Sequence, residues 1–587
     1  MIRENAWRFK LVGALFFVLP VLILFQVVRV RVDPVKAGEI LEKGKEYSGQ
    51  YKTITPPRGR IYDRFGFLLA SNVEVYEVGI ELQDVKNPKT IAQTLSMVLG
   101  LDYTQVLGAA SREASENLVY VVLTDNVSQE KIMQLETIVK NMEATYGSSR
   151  GKDVPSLRGL VYRPHLMRTF TEKSTGSNIV GMVNFEGKGF YGVEGKYNEL
   201  LAGEKATIFV SFDPNRVQEL PKIAEGASLI LTIDREIQRA MEEILDDAIV
   251  SSGSESGTMI VMDPQTGEVL AMATTPRLDL NEYWNYQKIF TKDTPFNKAI
   301  SQAYEPGSVF KPLTMAAALD TGTVTPDTKF IDTGVFEIGG IYIYNWNQGA
   351  WGPQDMQGCL QHSLNVCLAW VASQVGAKDF YQYMRAFGIG QLTGIDLAGE
   401  TPGRLKIPGD EDWYDADLGT NAFGQGVAAT PIQMATSISA IANGGTMMAP
   451  HIVRSIINEG YQHDIENRVV GMPIKAETAK TLTNLLSRSL ELESSDALIE
   501  GYRVAGKTGT AEIPTPFGYT SNATNASFVG WGPLDSPQFL VYIWLEKPES
   551  SPWGSVVAAP VFRQAVEKLV VLMNIPPDAI RESLFGQ

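Results

Sequence analysis

Histidine is scarce and dispersed. The four residues His165, His362, His451 and His463 show no metal-ligand spacing. Cysteine is scarcer still: Cys359 and Cys367, eight positions apart, make no paired-knuckle pattern. Both shortages argue against a zinc or iron–sulfur site. If the two cysteines shared a helix they would stand about 12 Å apart at 1.5 Å per residue, outside disulfide range, so both are expected as free, buried packing thiols. Positive charge is also short, with 51 Lys and Arg against 67 Asp and Glu, net −16. Nucleic acid is therefore not an expected partner, because affinity for a phosphate backbone comes from lysine and arginine. No long stretch is polar enough to be disordered on composition, and 44% hydrophobic residues suit packed domains. A chain of 587 residues has room for up to about four of them.

What is present begins with one apolar run. Residues 11–28, LVGALFFVLPVLILFQVV, are interrupted only by Gln26, and at helical rise they cover roughly a hydrocarbon core. Pro20 is tolerable in a membrane span, where neighbouring groups satisfy the freed carbonyl. The rival is a cleaved signal peptide, since Arg3, Arg8 and Lys10 make a basic n-region and Val35-Lys36-Ala37 resembles a cleavage site. The run exceeds a signal core of about 7–15 residues, and Arg29, Arg31, Asp33 and Lys36 intervene. We therefore expect an uncleaved anchor crossing a lipid bilayer through residues 11–30. The three positive charges of residues 1–10 place the N-terminus in the cytoplasm by the positive-inside rule, with about 550 residues outside it. ATP is then not a substrate.

Residues 31–225 mix short apolar alternations, such as 73–82, with Gly-, Ser- and Lys-rich loops near 147–159. This predicts an irregular, elongated α/β pedestal. A boundary is expected at 221–227, PKIAEGA, before a strand over 228–233 and an amphipathic helix over 234–250 capped by Asp234. Strands over 258–263 and 268–274 flank the hairpin turn Pro264-Gln265-Thr266-Gly267, and two more cover 526–531 and 538–545. Helical patterns lie between them, at 366–374 and 431–443, with a last one at 561–573. Strands at both ends with helices between predict an α+β fold over 226–575, an antiparallel sheet sandwiched by helices. Residues 576–587 are left as a C-terminal tail.

Three short motifs carry chemistry. In Glu305-Pro306-Gly307-Ser308-Val309-Phe310-Lys311-Pro312, a Pro-Gly turn delivers a serine three positions before a lysine, on one helical face. Pro312 is no obstacle, because the first N–H groups of a helix lack internal partners. Ser308 at the helix start meets the positive dipole end, which favours a developing oxyanion. Lysine serves as its base only if its pKa falls from about 10.4 through burial or a second cation. The segment Ser363-Leu364-Asn365 offers a hydroxyl to relay a proton and a carboxamide to hold an amide; alternatively Ser363 only caps a helix. Residues 501–508, GYRVAGKT, satisfy the phosphate-loop pattern, but Gly509, Thr510, Pro514 and Pro516 oppose the helix that pattern requires. As an edge strand instead, Lys507 presents a cation for a carboxylate, Thr508 and Thr510 offer hydroxyls, and Gly509 permits close approach of a substrate backbone.

The order S-x-x-K, S-x-N, K-T-G resembles the signature of penicillin-recognising serine enzymes. Residues 58–66 with Leu69-Ala70 resemble the N-terminal arginine-glycine-aspartate segment of class B penicillin-binding proteins, and residues 189–203 resemble their G-x-E segment through Gly192 and Glu194. Residues 423–426 with Thr430-Pro431, and 558–562, match as well; Thr274-Thr275-Pro276 departs from the usual serine, with nothing catalytic attached. The resemblance implies a monofunctional peptidoglycan D,D-transpeptidase in which Ser308 is the nucleophile, Lys311 its base, Ser363 a proton relay and Asn365 a holder of the donor amide. It further implies that Lys507, Thr508, Gly509 and Thr510 bind the donor's terminal carboxylate and that the N–H groups of Ser308 and Thr510 form the oxyanion hole. No cofactor or metal is implied. The implied partners are peptidoglycan stem peptides, β-lactams and a polytopic membrane glycosyltransferase of the shape, elongation, division and sporulation (SEDS) family. The segment around Arg58, Asp63 and Arg64 is expected either to meet that partner or to pin the pedestal through internal salt bridges. Hydrolysis in place of transfer, as in a carboxypeptidase or β-lactamase, and an inactive β-lactam-binding scaffold are the alternative readings.

Overall fold

The computed structural model describes residues 6–35, 37–38, 49–147, 149, 151, 153–211, 224–515 and 518–585. Arg3 of the expected cytoplasmic tail, Lys36 of the cleavage-like stretch, residues 221–223 of the expected boundary and 586–587 of the expected tail lie outside them.

The chain forms two compact units. The first, residues 1–57 with 203–225, contains the helix Ala6–Val32 and an antiparallel pair, Gly49–Ile54 with Ala206–Ser211. The helix runs through Pro20 and ends on Arg29 and Arg31. Its segment Lys10–Arg29 is long and apolar enough to cross a membrane, and none of it is buried by protein. Leu15, Phe16, Phe17, Leu22 and Phe25 all stand exposed, as expected of a helix whose solvent is lipid.

The second unit, residues 58–202 with 226–587, is built on two sheets. The five-stranded sheet runs Val269–Thr274, Ser256–Met262, Phe539–Glu546, Gly518–Gly532, Ala505–Thr515, antiparallel throughout. Ser256–Met262 and the edge strand Val269–Thr274 are buried along their whole length, and Phe539–Glu546 up to Leu545, so helices cover both faces. The side-chain period of two sorts the core. Met259 and Val261 pack toward the helices Arg235–Ser252 and Ala559–Leu572, with Val541, Ile543 and Phe562. Ile260, Tyr542 and Trp544 point the other way, into the core that holds Val309 and Leu313, neighbours of Ser308 and Lys311, and Ile432 of the helix Pro431–Ala442. The helix Pro431–Ala442 is buried all round, started by a capping box between Thr430 and Gln433. Asp234 caps the helix that follows it by accepting from Glu236 N and Ile237 N at 3.0 and 3.2 Å. The expected sandwich is present.

The second sheet draws on both sequence halves: Tyr461–Asp464, Val453–Asn458, Ser228–Leu231, Ile61–Tyr62, Leu68–Glu81 and Tyr120–Ser128, with Leu160–Phe170 also paired to Leu68–Glu81. The strand that follows the expected boundary therefore pairs in parallel with Ile61–Tyr62. Beside it, Arg58 and Arg168 converge on Glu194, a carboxylate with no exposed surface, at 2.6 and 2.8 Å. Arg58 also donates to Gly187 O and Asn198 Oδ1, Asp63 accepts from Phe65 N and Phe67 N, and Arg64 pairs with Glu268 at 3.3 Å. Arg58 and Arg64 are thus in internal ion pairs, as one of the two expected roles requires, while Asp63 bonds only backbone N–H groups.

Candidate active site

Ser308 lies in a single 3-10 turn, Gly307–Phe310, that runs into the helix Lys311–Asp320, with Pro312 in its first turn. Gly307 has φ +61, the left-handed region, and a Cβ there would come within 2.7 Å of Thr510 O. Only glycine lets the serine turn lie on the edge strand this closely. The loop after residue 422 holds the other side: Gly307 N donates to Gly424 O at 3.1 Å, and Gly426 N donates to Glu305 Oε1 at 3.0 Å. Glu305 also accepts from Tyr519 OH, at 3.0 Å to Oε2, which ties the long hairpin to the serine turn.

Lys311 has no exposed surface. Its Nζ donates to Ser363 O at 2.6 Å, Ser363 Oγ at 3.1 Å and Asn365 Oδ1 at 2.8 Å, so the first two motifs meet. Among the described residues, the Nζ of Lys311 makes no hydrogen bond to Ser308, whose carbonyl accepts instead from the Lys311 backbone N–H. Burial, and secondarily the charge of Lys507, push the Lys311 ammonium well below the ordinary lysine range. Ser363 is not a helix cap. It sits at φ +52, and Leu364 occupies the N-cap of Asn365–Val375 without a side-chain bond. That reversal aims both the carbonyl and the hydroxyl of Ser363 at Lys311. Asn365 is held in turn by donating from Nδ2 to Tyr344 O at 3.2 Å.

Lys507, Thr508, Gly509 and Thr510 lie in Ala505–Thr515, an edge strand and not a helix start. Lys507 is 5% exposed, and burial pushes it down to about 8, partly opposed by the Glu493 carboxylate. Gly509 has a packing reason of its own: a Cβ there would meet Ser527 Oγ at 2.2 Å and Val309 Cγ1 at 2.8 Å. Thr510 Oγ1 accepts from Gly554 N at 3.1 Å.

The expectation of free thiols is overturned. Cys359 and Cys367 form a disulfide, with Cα atoms 6.0 Å apart. They occupy two helices, Met356–Gln361 and Asn365–Val375, and the reversal at Ser363 folds one back on the other, which a single-helix spacing does not capture. Both are fully buried, as expected. The crosslink encloses Ser363 and Asn365. Sequence reading also missed Glu493, whose carboxylate lies 3.9 Å from His362 Nδ1; it ends the helix Ala476–Leu492, far from any motif.

A serine on a tight turn against the edge of a helix-covered antiparallel sheet, with two desolvated lysines beside it, defines a penicillin-recognising serine acyltransferase. Residues 257–567 match the family described as penicillin binding protein transpeptidase domain, and residues 53–225 that described as penicillin-binding protein dimerisation domain. The chain belongs to the class B penicillin-binding proteins, the serine peptidoglycan transpeptidases, and is a single-pass, membrane-anchored member. It is 30% identical over 581 residues to stage V sporulation protein D of Bacillus subtilis, covering 96% of this chain and 86% of that protein. It is 25% identical over 588 residues to peptidoglycan D,D-transpeptidase FtsI of Escherichia coli K12, covering 98% and 93%. In fold it resembles penicillin-binding protein 3 of Mycobacterium tuberculosis complexed with aztreonam, with TM-score 0.67, 23% identity and coverage of 90% and 98%. Penicillin-binding protein 2X of Streptococcus thermophilus gives TM-score 0.74 at 20% identity, with coverage of 89% and 80%.

Proposed function

We propose that this chain cross-links peptidoglycan stem peptides through an ester on Ser308. Ser308 Oγ attacks the penultimate D-alanine carbonyl, the C–N bond to the terminal D-alanine breaks, and the serine proton passes through Lys311 and Ser363 to the departing amine. A neighbouring stem's amine then attacks the ester carbonyl, and Ser308 leaves with a proton. Asn365 holds the donor amide, while Lys507, Thr508, Gly509 and Thr510 receive its carboxylate. The N–H groups of Ser308 and Thr510 form the oxyanion hole, where one donor is typically worth about 3 kcal/mol. The observation that carries this reading is the buried Lys311 amine, bonded to both Ser363 and Asn365 and held low beside a second lysine. β-Lactams acylate Ser308 because their ring amide stands in for the D-alanyl-D-alanine bond.

Residues 1–10 are cytoplasmic, 11–30 the span, 31–225 the pedestal, 226–575 the transpeptidase domain and 576–587 the tail, with the catalytic part outside the cytoplasm. The disulfide favours that side, since such bonds persist in oxidising compartments. A polytopic SEDS glycosyltransferase is the partner, met by the lipid-facing helix; Arg58, 7% exposed and paired with Glu194, serves the pedestal and not that contact.

The test is to incubate the detergent-solubilised chain with a fluorescent penicillin and compare wild type with Ser308→Ala by denaturing gel and intact mass. A stoichiometric adduct lost only in the variant is expected, and paired stem peptides then distinguish amine from water as acceptor. A folded wild type without adduct would overturn the reading in favour of an inactive scaffold.

A further inference from the structure

Trp346 and Trp553 are large apolar side chains left 52% and 40% exposed, and each is fastened to a different wall of the site. Trp346 follows the strand Ile341–Tyr344, and its Nε1 donates to the carbonyl of His362, the neighbour of Ser363, at 3.3 Å. Two positions earlier, Tyr344 O is the acceptor that holds Asn365. Trp553 precedes the turn Gly554–Val557, whose Gly554 N donates to Thr510 Oγ1. A Cβ on Gly554 would stand 2.2 Å from Gly509 O, so that segment lies directly on the edge strand. The two indoles nevertheless meet, with centroids 5.3 Å apart and planes at 71°, an edge-to-face contact of the favourable kind.

The attachments decide what this contact does. One ring moves with Ser363 and Asn365, the other with Gly509 and Thr510, and the proposed donor lies between those two groups. The rings keep their contact only while nothing wide lies between them. Tyr342 and Tyr344, exposed on the same face of their strand, extend the aromatic lip on one side. We propose that Trp346 and Trp553 form a gate across the mouth of the cleft, which parts only for an acyl donor with a wide side chain beside the reacting carbonyl and so sorts donors by that width. This rests on the transpeptidase reading above. A narrow donor passes with the rings in contact; one bearing an aryl group forfeits it, a penalty of about tenfold in rate at the strength of one aromatic pair.

The experiment compares 6-aminopenicillanic acid, which has no acyl side chain, with ampicillin, which carries an aryl one on the same nucleus. Second-order acylation rates are measured on the detergent-solubilised full chain, wild type, Trp346→Ala and Trp553→Ala. The gate predicts that the ampicillin to 6-aminopenicillanic acid rate ratio rises about tenfold in each variant. An unchanged ratio, or one that falls because the rings serve as a stacking platform, overturns it. A second measurement does not depend on the alanine variants folding: indole emission of the wild type should change on acylation by ampicillin, and the change should shrink in Trp346→Phe and in Trp553→Phe. No change in the wild type, or an undiminished one in both phenylalanine variants, overturns the gate. A wild type that neither compound acylates, seen as no mass adduct, fails the transpeptidase reading itself and the gate with it.

Discussion

Lys311 Nζ and Asn365 Oδ1 lie 2.8 Å apart across 54 residues of chain. Asn365 therefore orients the lysine besides the donor-holding role proposed for it, and Lys311 and Asn365 should differ in weight. Lys311→Ala should reduce β-lactam acylation by about 10³- to 10⁴-fold, the upper range for a general base. Asn365→Ala should cost less, about 10- to 100-fold, because Ser363 O and Oγ still hold the amine. Stopped-flow acylation with a fluorescent penicillin measures both, and a Lys311→Ala rate equal to wild type would show that the base is another group.

The depressed lysines give the reaction a pH signature. Acylation should rise with pH as Lys311 loses its proton, and fall as Lys507 loses the charge that holds the donor carboxylate, near its value of about 8. Lys507→Arg, protonated at all accessible pH, should keep the rising limb and lose the falling one. Persistence of the falling limb in that variant assigns it elsewhere. For stability, the unfolded chain binds more protons than the folded one between about 8 and the unfolded lysine value. The Lys507 contribution therefore increases with pH across that window and is flat below it.

Opening the disulfide should loosen the segment that carries Ser363 and Asn365. For a separation of 8 residues, loop-closure entropy gives about 2.5 kcal/mol. Cys359→Ser with Cys367→Ser should lower the thermal midpoint of the transpeptidase part and slow acylation several-fold. Equal midpoints with and without the crosslink would show that helix packing alone fixes the reversal.

Glu194 has no exposed surface and two arginine partners. Arg58→Ala leaves the carboxylate with one partner and should cost about 3–5 kcal/mol, the penalty for breaking a buried pair. Denaturant unfolding of the detergent-solubilised chain reports this. The fraction that remains folded should acylate at the wild-type rate, since the cluster is structural; a lowered rate there would assign the segment a second role.

The legible parts of this protein are those written locally. The apolar run spans Lys10–Arg29, the Asp234 cap and the hairpin turn fall as read, and Gly509, Thr510 and Pro514 place Lys507 on a strand in place of a phosphate-loop helix. Each follows from backbone preferences of neighbouring residues. The three motifs also carry their residue types in the sequence, and with them the family.

Tertiary structure decided what those residues touch. The left-handed Ser363 folds one helix back on another, so that a spacing too long for a disulfide on a single helix becomes 6.0 Å between Cα atoms. The mixed sheet takes Ser228–Leu231 from after the expected boundary at 221–227 and Ile61–Tyr62 from before it, because a buried strand edge needs a partner wherever the chain can supply one. The environment that lowers Lys311 is assembled from the 363–365 reversal and the 507–510 strand. Glu493 and the Trp346–Trp553 contact come from segments that bear no motif. Burial, charge and ring contacts depend on distance in space, which the order of residues along the chain does not encode.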